Sequence, residues 1–153
     1  MRTIKVPGRP ALELAHLLLD VNGTLAAHGD LIDDVATKLR RLQQVLDVHL
    51  LSADTFGSLA GVSSTLGIDA QLVHDGAEKV DYMRRLGSQH CAAIGNGAND
   101  KAMLSEAALG IAVIGPEGAA APTIAVADVV CRSIGDALGL LLDDRALAAT
   151  LRP

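Results

Sequence analysis

Tryptophan is absent from this 153-residue sequence, and Phe56 and Tyr82 are its only phenylalanine and tyrosine. A protein that stacks nucleic-acid bases needs more aromatic platforms than that. Basic residues are in deficit, 13 Lys and Arg against 18 Asp and Glu, for a net charge of −5. That balance argues against a phosphate-backbone partner and suits an enzyme that binds cations. No apolar run reaches the ~18 residues of a membrane span. The longest, around Leu17–Leu19 and Leu138–Leu142, are short and flanked by Asp. Met1 to Pro10 carry charge and proline but no apolar signal core. Cysteine is scarce as well: Cys91 and Cys131 are isolated thiols in apolar stretches, which reads as buried, reduced and structural. A cytoplasmic protein with neither nucleic-acid nor membrane partner is the expectation.

What is present is apolar surface. Half of the residues are hydrophobic, only 20% are charged, and mean hydropathy is positive. Wholesale disorder is excluded, and a chain of this length buries enough surface for a proper core. A single domain over residues 1–153 is expected. The one biased stretch, Gly115–Pro122, is rich in Gly, Ala and Pro and reads as a loop leading into a helix.

Apolar strands alternate with amphipathic helices along the chain. Ile4–Val6 and Leu12–Leu14 predict a small N-terminal hairpin turning at Pro7–Pro10. Ala15–Leu19 is a strand that ends at Asp20. Asp30 is placed to cap a helix over Leu31–Val45, with Ile32, Val35, Leu39 and Leu42 near one face. Further strands are expected at Val48–Leu51, Ala70–Val73, Cys91–Ile94, Ile111–Ile114 and Val129–Cys131. Helices are expected over Gly57–Thr65, Glu78–Leu86 and Asn99–Ala108, with a short one reaching Val126 and a tail helix from Ile134 to Leu151, broken near Asp143. Strands separated by helices predict βαβ units, a mainly parallel sheet and a three-layer α/β/α domain.

In such sheets ligands bind beyond the carboxyl ends of the strands. Asp20 and Asn22 follow one strand, Ser52 and Asp54 another, and Asn96, Asn99 and Asp100 a third. Three strand ends thus deliver acids, amides and a hydroxyl to one rim. Ordinary polar loops and helix caps would account for each alone, but poorly for their shared character. His16, His28, His49, His74 and His90 show no metal-ligand spacing, and His49 reads as a sheet residue. Arg84 and Arg85 read as a solvated helix face.

The run Leu17-Leu18-Leu19-Asp20-Val21-Asn22-Gly23-Thr24 resembles the first motif of the haloacid dehalogenase (HAD) phosphohydrolases, an apolar strand followed by Asp-x-Asp-Gly-Thr. Ser52, Lys79 and Gly95-Asn96-Gly97-Ala98-Asn99-Asp100 follow in the order and spacing of the remaining motifs. Ser52-Ala53-Asp54, the Gly-Asn-Gly-x-Asn-Asp spelling and the strand Leu109–Val113 look most like the soluble, stand-alone relatives of the P-type ATPase phosphorylation domain. The resemblance implies a Rossmann-like core and a Mg²⁺-dependent phosphatase or phosphoryl-transfer hydrolase.

On that resemblance Asp20 is the nucleophile that forms an aspartyl-phosphate. Asp20, Asp100, Asn96 and the carbonyl of Asn22 are the implied Mg²⁺ ligands. Ser52 would hydrogen-bond the phosphoryl group and Lys79 would neutralise it. Gly23 and Thr24 would offer backbone N–H groups. Ala53 and Asn99 complete the implied substrate contacts, with Asp54 in support. The implied substrate is a phosphorylated small molecule or a phosphoprotein.

Two positions depart from the family pattern. Most relatives have Asp where Asn22 stands, and an amide cannot relay a proton; losing such a group typically costs ~10²–10⁴-fold in rate. Asn96 replaces another Asp and removes one negative charge near the metal. A non-catalytic, regulatory homologue that keeps the metal and phosphate pocket is the alternative reading. The segments from Leu25 to Leu31 and from Lys79 to Gly95 leave no room for a cap domain, so a capless core with an open site is expected. Apolar helix faces at Leu138–Leu142 and Leu147–Leu151 would serve as core, or as the contact of a homo-oligomer.

Overall fold

A strand whose side chains are apolar on both faces must be covered on both. The computed structural model, which describes residues 1–27, 30–31, 34–53 and 58–153, meets that requirement with two helical layers. In chain order it forms β1 (Arg2–Ile4), β2 (Leu12–Leu14), β3 (His16–Asp20), β4 (Ala26–Ala27), β5 (Asp30–Leu31), α1 (Val35–Leu42), β6 (Asp47–Ser52), α2 (Ser58–Leu66) and β7 (Ala70–Leu72). Then come α3 (Gly76–Leu86), β8 (Cys91–Gly95), α4 (Lys101–Glu106), β9 (Leu109–Val113), α5 (Ala121–Val126), β10 (Val129–Cys131), α6 (Ile134–Leu141) and α7 (Asp144–Leu151).

Six strands form one sheet in the order β10-β9-β8-β3-β6-β7, with every neighbouring pair parallel. The chain winds outward from β3 through β6 to β7, then returns to lay β8 on the other side of β3. That reversal makes the β3/β8 crevice the topological switch point, where the carboxyl ends of the strands can receive a ligand. Alternate side chains of the strands feed two cores. Leu17, Leu19, Leu50, Ile94 and Ile111 pack with α1, α2, α6 and α7. Leu18, Leu51, Ala93 and Ala112 pack with α3 and α4, which α5 flanks. Each buried Leu or Ile contributes about 1.5–3 kcal/mol. Leu138, Leu141 and Leu147 are buried in the first core, as the core reading of the tail required. No helix among the described residues is long and apolar enough to cross a membrane.

Several boundaries differ from expectation, each for a local reason. The hairpin pairs Ile4 with Leu12, so its first strand is Arg2–Ile4 rather than Ile4–Val6. Pro7 and Pro10 have no N–H to extend the ladder. The helix expected from Leu31 begins at Val35, because Asp30 and Leu31 pair with Ala27 and Ala26 in a two-stranded ladder. The N-cap position is therefore Asp34 rather than Asp30. Asp34 precedes the helix in a left-handed conformation (φ 68°) and bonds the Lys38 ammonium at 2.8 Å. The helix also ends early, at Leu42, where Gln44 and Val45 donate to carbonyls three residues back. The expected Asn99–Ala108 helix is a 3₁₀ turn, Ala98–Asp100, followed by α4. Gly57, the expected start of α2, lies outside the described residues, as do His28, Ile32 and Asp54. The break at Asp143 is present: its carboxylate accepts from Arg145 and Ala146 N–H and starts α7.

At the amino end of the sheet, away from the switch point, His16 Nδ1 lies 3.2 Å from His49 Nε2, and His49 Nδ1 lies 3.0 Å from the Tyr82 hydroxyl. Burial first, and then the charge of His16, hold the His49 pKa below its ordinary value; Asp47 opposes them. The Arg85 guanidinium lies over the Tyr82 ring, 5.6 Å from its centroid. A histidine whose folded pKa is depressed favours folding in its neutral form. This contribution is complete above about pH 6.5 and is lost as the pH falls through the lower folded value. Denaturant melts at stepped pH check it: the stability gap between wild type and His49→Asn should narrow on acidification.

Candidate active site

The site begins where β3 runs out of sheet. Asp20 is the last residue of β3 and is 5% exposed. The chain then turns tightly: Val21 N–H still bonds the Leu51 carbonyl, while Thr24 and Leu25 N–H fold back onto the Val21 carbonyl. Gly23 makes this turn at φ +76°, a conformation that side chains disfavour. The turn sends Thr24 back under Asp20. The Thr24 hydroxyl lies 3.1 Å from Asp20 Oδ2 and 3.2 Å from Asn96 Oδ1, so it ties the ends of β3 and β8 together. On the other flank, Asn22 Nδ2 donates to Ser52 Oγ at 3.2 Å, across the ends of β3 and β6.

Lys79 stands in the first turns of α3, whose start is set by Asp75 accepting from Glu78 N–H. Helix α3 approaches the 3₁₀ turn after β8 very closely. A Cβ on Gly76 would fall 2.6 Å from the Asn99 carbonyl oxygen, so only glycine fits there. This approach buries the Lys79 side chain completely. Its ammonium donates to Asp20 Oδ1 at 2.7 Å and to Asp100 Oδ1 at 2.6 Å. Asp100 is also fully buried, and its other oxygen accepts from Asn96 and Gly97 N–H at 3.1 and 3.0 Å. The result is a buried triad of one cation between two carboxylates.

Two acids facing one cation leave an excess of negative charge. Burial, followed by the charge of Asp100, raises the Asp20 pKa to about 6, against the opposing pull of Lys79. Burial disfavours the Lys79 ammonium, yet Asp20 and Asp100 more than compensate and hold its pKa above the ordinary value. The oxygens of both carboxylates retain lone pairs after these bonds. An all-oxygen donor set with surplus negative charge fits a hard divalent cation such as Mg²⁺.

The structure brings Asp20, Asn22, Gly23, Thr24, Ser52, Lys79, Asn96 and Asp100 to one rim. Ser52 is buried, whereas Asn22 and Asn99 are exposed and Ala53 is half-buried. Thr24 N–H is engaged by Val21 at 3.3 Å. Asn96 has a structural task as well: its Nδ2 donates to the Gly118 carbonyl at 3.1 Å. Sequence reasoning missed three contributors. Thr123 bonds the Gly97 carbonyl at 2.7 Å and steadies the turn after β8. Gly76 permits the approach of α3. Glu117, in the loop after β9, reaches the Gly23 turn. The signal for that loop was its two glycines, Gly115 and Gly118, both at positive φ.

A family model of haloacid dehalogenase-like hydrolases matches residues 52–138. The chain belongs to this family. It is 55% identical over 60 residues to the uncharacterized protein MJ0073 of Methanocaldococcus jannaschii, covering 39% of this chain and 64% of that protein. It is 33% identical over 140 residues to the chloroplastic copper-transporting ATPase PAA1 of Arabidopsis thaliana, covering 85% of this chain and 14% of that one. The chain thus spans less than two thirds of the length of either relative. Among solved structures, the 3-deoxy-D-manno-octulosonate 8-phosphate phosphatase of Moraxella catarrhalis has the same fold, with a TM-score of 0.69 at 22% identity, over 91% of this chain and 94% of that one. That phosphatase is in complex with magnesium, phosphate and its KDO ligand.

Proposed function

We propose that this chain is a divalent-cation-dependent phosphohydrolase that works through an aspartyl-phosphate on Asp20. The observation that carries the reading is the buried Asp20–Lys79–Asp100 triad at the switch point of the sheet. The cation, Mg²⁺ in this reading, would be held by Asp20, Asp100 and the Asn22 carbonyl, with Asn96 beside it. When bound it would neutralise phosphoryl oxygens and so permit one anion to attack another. The remaining steps belong to the chain. An Asp20 carboxylate oxygen attacks phosphorus in line, and the bond from phosphorus to the ester oxygen breaks. Ser52 donates to a phosphoryl oxygen, and Lys79 holds Asp20 in place while opposing the charge that gathers. Water then attacks the same phosphorus, releasing inorganic phosphate and restoring the Asp20 carboxylate.

Nothing at position 22 relays the proton to the leaving oxygen. Asn22 instead bonds Ser52, so good leaving groups and slow turnover of alkyl phosphates are part of the proposal. Asn22→Asp is expected to raise turnover of an alkyl phosphate by ~10²-fold or more, and to change an activated aryl phosphate much less. Steady-state assays on the two substrates check this; no turnover of either substrate by either protein would favour the regulatory homologue that keeps the pocket. A single capless core over residues 1–153, open to phosphorylated small molecules or phosphoproteins, completes the reading. Phosphate release from an aryl phosphate with and without Mg²⁺ tests it. Cation-dependent release supports the proposal, and release that ignores the cation counts against it.

A further inference from the structure

Glu117 lies outside every motif that identified the site, yet its carboxylate reaches it. The loop from Ile114 to Ala120 closes on the turn after β3. Gly118 N–H bonds the Gly115 carbonyl, Ala120 N–H bonds the Asn96 carbonyl at 2.8 Å, and Asn96 Nδ2 bonds the Gly118 carbonyl. Asn96 therefore anchors this loop with both its main chain and its side chain. The loop delivers Glu117 Oε2 to 2.5 Å from the point where a Cβ on Gly23 would sit. Asn96 Nδ2 and Oδ1 lie 2.8 and 3.3 Å from the same point. A carboxylate and an amide thus share one cradle over Gly23, beside the Thr24 hydroxyl that links Asn96 to Asp20.

We propose that Glu117 is a positioning residue of the cation site, supplying through the cation's water shell the negative charge that Asn96 lacks. This rests on the cation-dependent reading above. An Asp at position 96 would set two anions in the cradle, where like charges repel. An amide there has a donor to turn toward the acid, so Asn96 and Glu117 are compatible where Asp and Glu would conflict. Among the described residues no Lys, Arg or His pairs with Glu117. Mg²⁺ retains several of its waters, and carboxylates that bind those waters orient the ion without touching it.

Calorimetric titration of the full chain with Mg²⁺ alone tests this without relying on turnover. Glu117→Gln should weaken Mg²⁺ by roughly 10-fold or more, in the range of outer-sphere partners. Adding Asn96→Asp to Glu117→Gln should recover most of that loss, because the charge returns to the strand end. Thermal melts of the cation-free variants establish that each is folded; Glu117 is exposed, so none should be lost by its change. Glu117→Gln binding as tightly as wild type, or a double variant no tighter than Glu117→Gln, would overturn the inference. If Asp100→Asn weakens Mg²⁺ while Glu117→Gln does not, the inference alone fails. Wild type that takes up no Mg²⁺ removes the cation-dependent reading itself.

Discussion

Asp20→Asn is expected to lower phosphate release by more than about 10³-fold, with no loss of fold. The amide keeps the shape of the carboxylate and can still meet Thr24 and Lys79, but it cannot attack phosphorus and leave again as a carboxylate. Stability should stay level or rise. Burial and Asp100 both work against an ionised Asp20, which raises its pKa to about 6. Without it, Lys79 keeps Asp100 at 2.6 Å as a balanced pair. Activity and melting temperature should therefore move in different directions, a pattern common where a site is built for chemistry rather than for stability. Parallel assays and thermal melts of the two proteins check both halves. An Asp20→Asn protein that retains activity would remove the nucleophile from the account.

The second large effect concerns the cation of the triad. Lys79→Met should destabilise the fold by about 3–5 kcal/mol, because it leaves two buried carboxylates with no counter-charge. For a chain of this length that is a fall in melting temperature on the order of 10 °C. The methionine fills much of the space of the lysine stem, so the loss would be one of charge rather than of packing. Mg²⁺ should recover part of the fall, since Asp20 and Asp100 would then have a divalent ion as their remaining partner. Melts with and without Mg²⁺ provide the check. A variant as stable as wild type without metal would show that the triad is not held together by charge.

The layers of the fold were legible in the sequence because strands buried on both faces must be apolar throughout. Leu17–Leu19 and Cys91–Ile94 announce themselves in that way, and the helices between them require a parallel sheet. The start of α1 was not legible. Asp30 has the chemistry of a helix cap, but backbone pairing of Asp30 and Leu31 with Ala27 and Ala26 takes that segment first. Local propensity could not foresee a ladder closed by the residues just before it. The hairpin register failed for a related reason: two prolines lengthen the turn beyond the four residues the pattern suggested.

For the site, the order of the motifs located Asp20, Ser52, Lys79 and Asp100, because each follows or precedes a recognisable element. Their mutual contacts were beyond reach. The motif order implies Lys79 for the site, but its place between two carboxylates follows only from the close approach of α3 at Gly76. The resemblance gives Thr24 only a backbone role; the link its hydroxyl makes appears once β8 lies beside β3 and brings Asn96 within 3.2 Å of it. Glu117 is separated from Gly23 by most of the chain, and only the adjacency of β8, β9 and β3 joins them. Periodicity reports which face of an element is buried; it carries no record of which loops meet.

The most direct test is to look for the phosphoryl group itself. The full chain, incubated with acetyl phosphate and Mg²⁺ and then quenched in acid, can be digested and its peptides weighed. The account predicts one phosphoryl group on the peptide that contains Asp20, dependent on Mg²⁺, released by hydroxylamine and absent from Asp20→Asn. Phosphate turnover with no such adduct, or an adduct on another residue, would contradict it.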